Sequence, residues 1–249
     1  MITGHVGALP TPDRPIRVLA VDLTSRPERT SAAAVLRSGT DGWRLLQPSK
    51  PLDGDAAILT AAKQVDLVAL DGPRFPPRGF EGFVAKGEAP PGGASRSRSC
   101  EREHMRRICP IFFSSPVATA GVQAWMARSW RLFAALDQRP IEIYPMGAFV
   151  SMRNGVDIRR PHGLAAKTSR RGQTERLQIL RALLGAQAER FVDSGQGGEK
   201  RHDRLDATMG AVVAACHLMG LTVELGEPTD GTIVVPSLEP QGLHPPADG

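Results

Sequence analysis

Apolar and polar positions fall along this chain in blocks with two periods, and each block predicts an element. Ile16-Arg17-Val18-Leu19-Ala20-Val21-Asp22 is an apolar run that ends on a carboxylate and predicts a strand. Thr30 to Leu36 and Gly42 to Leu46 predict two more, with Ser38-Gly39-Thr40-Asp41-Gly42 as the turn between them. Strands joined by short turns pair antiparallel, so these three should form a meander. Ala and Leu recur at helical spacing over Asp53 to Lys63. Val65-Asp66-Leu67-Val68-Ala69-Leu70-Asp71 follows, a second apolar run that ends on a carboxylate, and Gly72-Pro73 stops it. Strand, helix and strand in that order imply a parallel pair with a right-handed crossover.

Pro76 to Ser99 is crowded with Gly, Pro and Ser and is too long for a simple connection, which leaves a functional loop or a mobile one. Cys100 to Ile108 and Gly121 to Leu136 read as helices, so residues 76–138 form a helical insertion. Ile141 to Tyr144 is a short strand ended by Pro145. Thr174 to Phe191 is helical, with Leu177, Leu180, Leu183 and Leu184 on one face. After the polar break from Asp193 to Lys200 comes a strong helix, Asp203 to Met219, and Thr232 to Val235 closes as a strand. Residues 1–15 read as a flexible arm and 239–249 as a flexible tail. Three antiparallel strands, then helix, strand, helices, strand and helix, is the order of a ribonuclease H-like α/β domain. It would span residues 16–238, with a mixed sheet and helices on both faces. A Rossmann domain would alternate strand and helix from the start.

Composition narrows the function classes. Aromatics are only 5% of the 249 residues, with one tyrosine, which disfavours a non-specific single-strand binder that stacks bases on aromatic platforms. The net charge of +5 suits a phosphate-bearing partner but is thinly spread. Cys100, Cys109 and Cys216 cannot make a complete disulfide set, which indicates a reducing compartment. The first residues carry no secretory pattern, and no apolar run approaches the ~20 residues that cross a bilayer. The expectation is a cytoplasmic protein without membrane attachment.

Candidate chemistry gathers on aspartates. Asp22 and Asp71 end the two most apolar strands, and ligands of open α/β sheets collect beyond the carboxyl ends of strands. A turn-forming role is the plain alternative for either one taken alone. His202-Asp203-Arg204-Leu205-Asp206-Ala207 opens the last helix, and a spacing of three puts Asp203 and Asp206 on one face. Aspartate is also common in any first helical turn. Ala207, Gly210, Ala211, Ala214 and Ala215 nevertheless give this helix a contact surface of small side chains, so it can lie close to the sheet and carry both carboxylates to the strand ends.

This set resembles a family of predicted nucleases of unknown physiological role, assigned to the ribonuclease H-like superfamily. The likeness rests on the strands ending in Asp22 and Asp71, on Ile-Glu-Ile-Tyr-Pro at 141–145 and on the His-Asp-x-x-Asp-Ala helix, and it covers residues 17–219. The last helix is also similar to that of RuvC-type resolvases. The resemblance implies metal ligation by Asp22, Asp71, Asp203 and Asp206. Resolvases often carry Glu where this chain has Asp71, which would shift the metals or leave a water between. Ser99-Cys100-Glu101-Arg102-Glu103 looks like a polar motif of the family, of unstated role. In such a site two Mg²⁺ or Mn²⁺ ions roughly 3.5–4 Å apart clamp a scissile phosphate. Hard oxygen donors suit those ions, and the irregular Cys100, His104, Cys109 spacing lacks a fourth ligand for zinc.

Glu142 and His202 are candidates for supporting the carboxylates from outside the ligand set. Arg98, Arg102 and Arg106 in one basic cluster, and Lys167, Arg170 and Arg171 in another, are candidate contacts to a DNA or RNA backbone, although most charge runs are solvated faces. Metal-dependent phosphodiester hydrolysis of nucleic acid is the first expectation. The alternative is a non-catalytic ribonuclease H-like module that binds nucleic acid or a protein partner. An actin-like or sugar-kinase ATPase would need a glycine-rich phosphate loop, and residues 23–30 contain no glycine.

Overall fold

A computed structural model describes residues 8–26, 28–76, 97–111, 114, 119–137, 140–157, 163–195 and 199–238. Strands β1 (Arg17–Asp22), β2 (Ala32–Gly39) and β3 (Gly42–Leu46) form the antiparallel meander. Helix α1 (Gly54–Ala62) then leads to β4 (Leu67–Asp71), which lies parallel beside β1. Helices α2 (Ser99–Arg107) and α3 (Ala120–Ala135) precede β5 (Ile141–Ile143). After it come α4 (Pro145–Asn154), α5 (Arg170–Leu184), α6 (Ala186–Asp193) and α7 (Arg201–Leu218). A hairpin of β6 (Thr222–Glu227) and β7 (Gly231–Pro236) completes the described chain. The result is an α/β fold on one mixed seven-stranded sheet, ordered β3-β2-β1-β4-β5-β7-β6.

β1 and β4 are apolar on both faces because both faces are covered. Val18 and Ala20 point into a core shared with α4, α5, α6 and α7, whereas Leu19 and Val21 point into a second core with α1 and α3. Helix α7 is buried along nearly its whole length and lies across β1, β2 and β4. Its approach is set by Gly210, where an added methyl would stand 2.5 Å from Ile143 Cδ1 and 2.9 Å from Ala20 Cβ.

Several elements depart from the expected pattern. Pro145 does not merely end β5; it opens α4 at a position where the missing N–H costs nothing. The helix expected over 174–191 is two helices, because Gly185 takes φ 66° and turns the chain. The last strand gains a partner, β6, whose edge position and exposed Glu224 and Glu227 hid it from an apolar-pattern reading. β2 starts two residues late and runs on to Gly39, since Thr30 instead bridges to Asp53. Part of the expected arm is pinned: Leu9 is 5% exposed and donates its N–H to the Leu183 carbonyl at 3.2 Å. Residues 1–7, 239–249 and most of the long connection (77–96) lie outside the described residues. Among the described residues no helix is long and apolar enough to cross a membrane.

Gly210→Ala should lower stability, although Ala is the better helix former by about 1 kcal/mol, because overpacking of this kind costs about 1–3 kcal/mol. Urea unfolding of the two proteins checks this, and a more stable variant would mean that α7 stands farther from the sheet.

Candidate functional site

In the β1–β4 ladder Asp22 is the direct partner of Asp71. Adjacent strands lie about 4.8 Å apart, and partners in a parallel pair point to the same face, so the two carboxyls are neighbours at the carboxyl ends of the central strands. The charge of Asp71 acts directly on Asp22. Helix α3 braces both strand ends from the far face. Arg128 Nη1 donates to the Thr24 carbonyl at 2.7 Å, Arg128 Nε donates to Asp55 Oδ1 at 2.7 Å, and Ser129 Oγ donates to the Pro73 carbonyl at 2.9 Å.

Close packing of α7 brings the second pair. Asp206 is buried, and its charge acts on both Asp22 and Asp71; Asp203 adds to the repulsion at Asp22 and Asp206. Asp203 is less enclosed and holds His202 Nε2 at 3.2 Å. Burial, then repulsion from Asp71 and Asp206, pushes the Asp22 carboxyl well above the ordinary carboxylate range. Burial and Asp206 push Asp71 up to about 7. Burial also raises Asp206, against the pull of Lys167 and Arg176. The four aspartates thus form one electrostatic cluster.

Lys167 joins them. It stands not on an outer basic face but with Nζ 2.8 Å from Asp206 Oδ2. Although its own burial opposes the charge, Asp206, then Asp22 and Asp71, hold the ammonium above its ordinary range. A cleft of about 580 Å³ opens beside the cluster; Asp22 and Asp203 line it together with Glu199 and Glu28, set against Lys167, Lys200 and Arg29. Its walls are of mixed charge.

Among the described residues no group of three or more His, Cys, Asp or Glu side chains is arranged to hold a metal ion. The four-carboxylate cage therefore does not stand assembled, and Asp206 already gives an oxygen to a cation of the chain itself. The Asp22–Asp71 pair, by contrast, fits a divalent ion by its chemistry: hard oxygens on braced strand ends, whose mutual repulsion a cation would relieve. Cys100, His104 and Cys109 form no zinc site. His104 Nδ1 faces the Cys109 carbonyl at 3.1 Å, and burial lowers the His104 pKa to about 4 and raises the Cys109 thiol to about 11.

The remaining candidates divide. Glu142 is buried in β5 and its charge reaches Asp71, but its contacts are Arg98 Nη1 and Nη2 at 2.6 and 2.5 Å and the Arg74 N–H at 2.7 Å. Arg98 accordingly leaves the expected phosphate-binding surface: it is 2% exposed and also donates to Glu101 Oε1 at 3.0 Å. The polar motif after it acts as a clasp. Ser99 donates its N–H to Asp230 at 2.9 Å and accepts from the Glu227 N–H at 2.9 Å, while Glu103 accepts from the Gly226 N–H at 2.7 Å. These bonds fasten α2 to the β6–β7 hairpin. Arg102, Arg106, Arg170 and Arg171 are exposed; Arg102 bonds to the Ser97 carbonyl at 2.6 Å, and Arg171 pairs with Glu175 at 3.0 Å. Arg170 lines a second cleft of about 480 Å³ with Arg181, Arg201 and Glu189.

A carboxyl whose pKa is raised on folding stabilises the fold below its unfolded value and loses that contribution as pH rises to the folded one. For Asp71 the window runs from 3.8 to about 7. In chelator, the unfolding temperature of Asp71→Asn should gain on that of the unaltered protein across this window and then hold constant. A gap independent of pH would show that folding does not raise the Asp71 carboxyl.

No curated protein and no solved structure matches the chain. One family model does, over residues 21–230, a span that holds all four aspartates and Lys167 and runs to the Asp230 clasp. By that match the chain belongs to the family described as protein of unknown function (DUF429).

Proposed function

We propose that this chain is a ribonuclease H-like, divalent-metal-dependent phosphodiesterase of nucleic acid. One observation carries the reading: Asp22 and Asp71 sit side by side at the ends of the two central strands, with the Asp203/Asp206 face of α7 brought against them. The β3-β2-β1-β4-β5 portion of the sheet, an antiparallel meander followed by parallel strands, supports the fold assignment.

Asp22 and Asp71 would hold a Mg²⁺ or Mn²⁺ ion, and Asp203 faces the cleft that Asp22 lines. Bound there, the ion supplies Lewis-acid stabilisation of a phosphoryl oxygen and a more acidic water. Everything else falls to the chain. Burial keeps the carboxyl pair in a setting where charge acts strongly. His202 holds Asp203 through Nε2. Lys167, Lys200 and Arg29 place cations along the cleft for backbone phosphates, and exposed Arg106, Arg170 and Arg171 would be phosphate contacts outside it.

In Mn²⁺ or Mg²⁺ the protein should cut duplex, single-stranded or branched DNA or RNA, and Asp22→Asn should lower the rate. Loss of several kcal/mol of charge stabilisation corresponds to about a hundredfold or more. Asp22→Asn without metal should be at least as stable as the unaltered protein, since one repelling charge is gone. Saturable binding of every probe without cleavage would favour the non-catalytic module, and a large metal-free loss of stability would make Asp22 a turn-former.

Binding should weaken steeply with salt through counterion release. Arg170→Glu with Arg171→Glu should flatten that slope in a fluorescence titration. An unchanged slope would remove α5 from the nucleic-acid surface.

A further inference from the structure

We infer that Lys167 is a cation built into the site in place of one of two metal ions, so that the chain binds a single divalent ion beside its own ammonium. The inference rests on the metal-dependent reading above and specifies how that site is composed.

The ammonium stands 2.8 Å from Asp206 Oδ2, and Asp206 is itself 5% exposed. Its charge also acts on Asp22 and Asp71. A chance surface pair would join two mobile, solvated side chains, whereas this one is prepared on both sides. The Ala165 N–H donates to Glu175 Oε2 at 2.8 Å, and the Ala165 carbonyl accepts from Arg176 Nη1 at 3.0 Å. The Ala166 carbonyl accepts from Ser169 N–H at 2.9 Å and Ser169 Oγ at 2.7 Å. Ser169 then caps α5 by accepting from the Gly172 N–H at 3.0 Å. The loop is thus pinned on either side of Lys167, and the buried Arg176 that pins it lies over the Phe149 ring at 5.6 Å.

A cation held this way has a consequence for ligand capacity. The Asp206 oxygen that accepts from an ammonium has less negative charge to give a second ion, and adding two doubly charged ions beside Lys167 would crowd cations. The ammonium has three donors, and Asp206 uses one of them. The side chain is 42% exposed and lines the cleft, so the remaining donors can meet a phosphate oxygen as a point charge. Lys167 would then share the substrate phosphate with the metal.

The test is the number of Mn²⁺ ions bound per full-length chain, counted by equilibrium dialysis and by the paramagnetic signal of free Mn²⁺. The unaltered protein should bind one, Lys167→Met two, and Lys167→Arg, which keeps a cation, one. Thermal unfolding verifies that each variant is folded. Two ions on the unaltered protein overturns the inference whatever the variants do, and so does one ion on a folded Lys167→Met; in both cases the metal-dependent reading survives. No bound Mn²⁺ on any of the proteins overturns that reading and the inference together.

Discussion

Parallel pairing of β1 with β4 in the register that sets Asp22 opposite Asp71 places two carboxylates where they repel in a partly dry setting, and much of the neighbouring structure answers that repulsion. Burial and repulsion drive the carboxyls toward the protonated form. The strands cannot relax apart, because α3 bonds to the residues just beyond both ends. Strain that cannot be relieved by movement has to be relieved by charge. The chain meets part of that demand with Lys167, and the raised proton affinity of the pair meets another part.

The small-residue surface of α7 is the second constraint. A helix of ordinary side chains would stand farther from the sheet and leave Asp203 and Asp206 out of reach of β1 and β4. With Gly210 against Ala20 and Ile143, the helix lies close enough for Asp206 to act on both strand-end aspartates. Fold stability and site geometry are therefore set by the same contact. The Asp206 carboxylate is steadied in turn by Lys167 and by the charge of Arg176.

Away from the cluster, charge is used to hold the fold. The buried Arg98 joins Glu142 of β5 to Glu101 of α2, and the following Ser99 and Glu103 grip the β6–β7 hairpin. The polar motif at Ser99–Glu103, whose role the sequence left unstated, docks α2 onto the sheet. Glu142 links the two systems electrostatically, since its charge also reaches Asp71, and Arg98 offsets part of the burial that raises the Glu142 carboxyl.

The sequence by itself determined the central strands, the meander, the crossover to β4 and the last helix, because each is written as a local period of apolar residues. That Asp22 and Asp71 end neighbouring strands does not follow from those local periods or from crossover handedness, since α1 joins β3 to β4 while β4 pairs with β1. The sequence also did not contain the split at Gly185, the helix begun by Pro145 or the edge strand β6, where one backbone angle or a polar edge outweighs hydrophobic pattern. The position of Lys167 was decided only by tertiary structure. Nothing in the residues around it marks it as different from Arg170 or Arg171, and only the folding of the Ala165–Ser169 loop against α5 turns its ammonium toward Asp206. Arg98 shows the converse, a cation from a basic run drawn into the interior by two glutamates that lie 3 and 44 residues away in the chain. Periodicity fixes which face a residue takes, but a long charged side chain finds its partner across the fold, and that choice depends on which opposite charge is buried within reach.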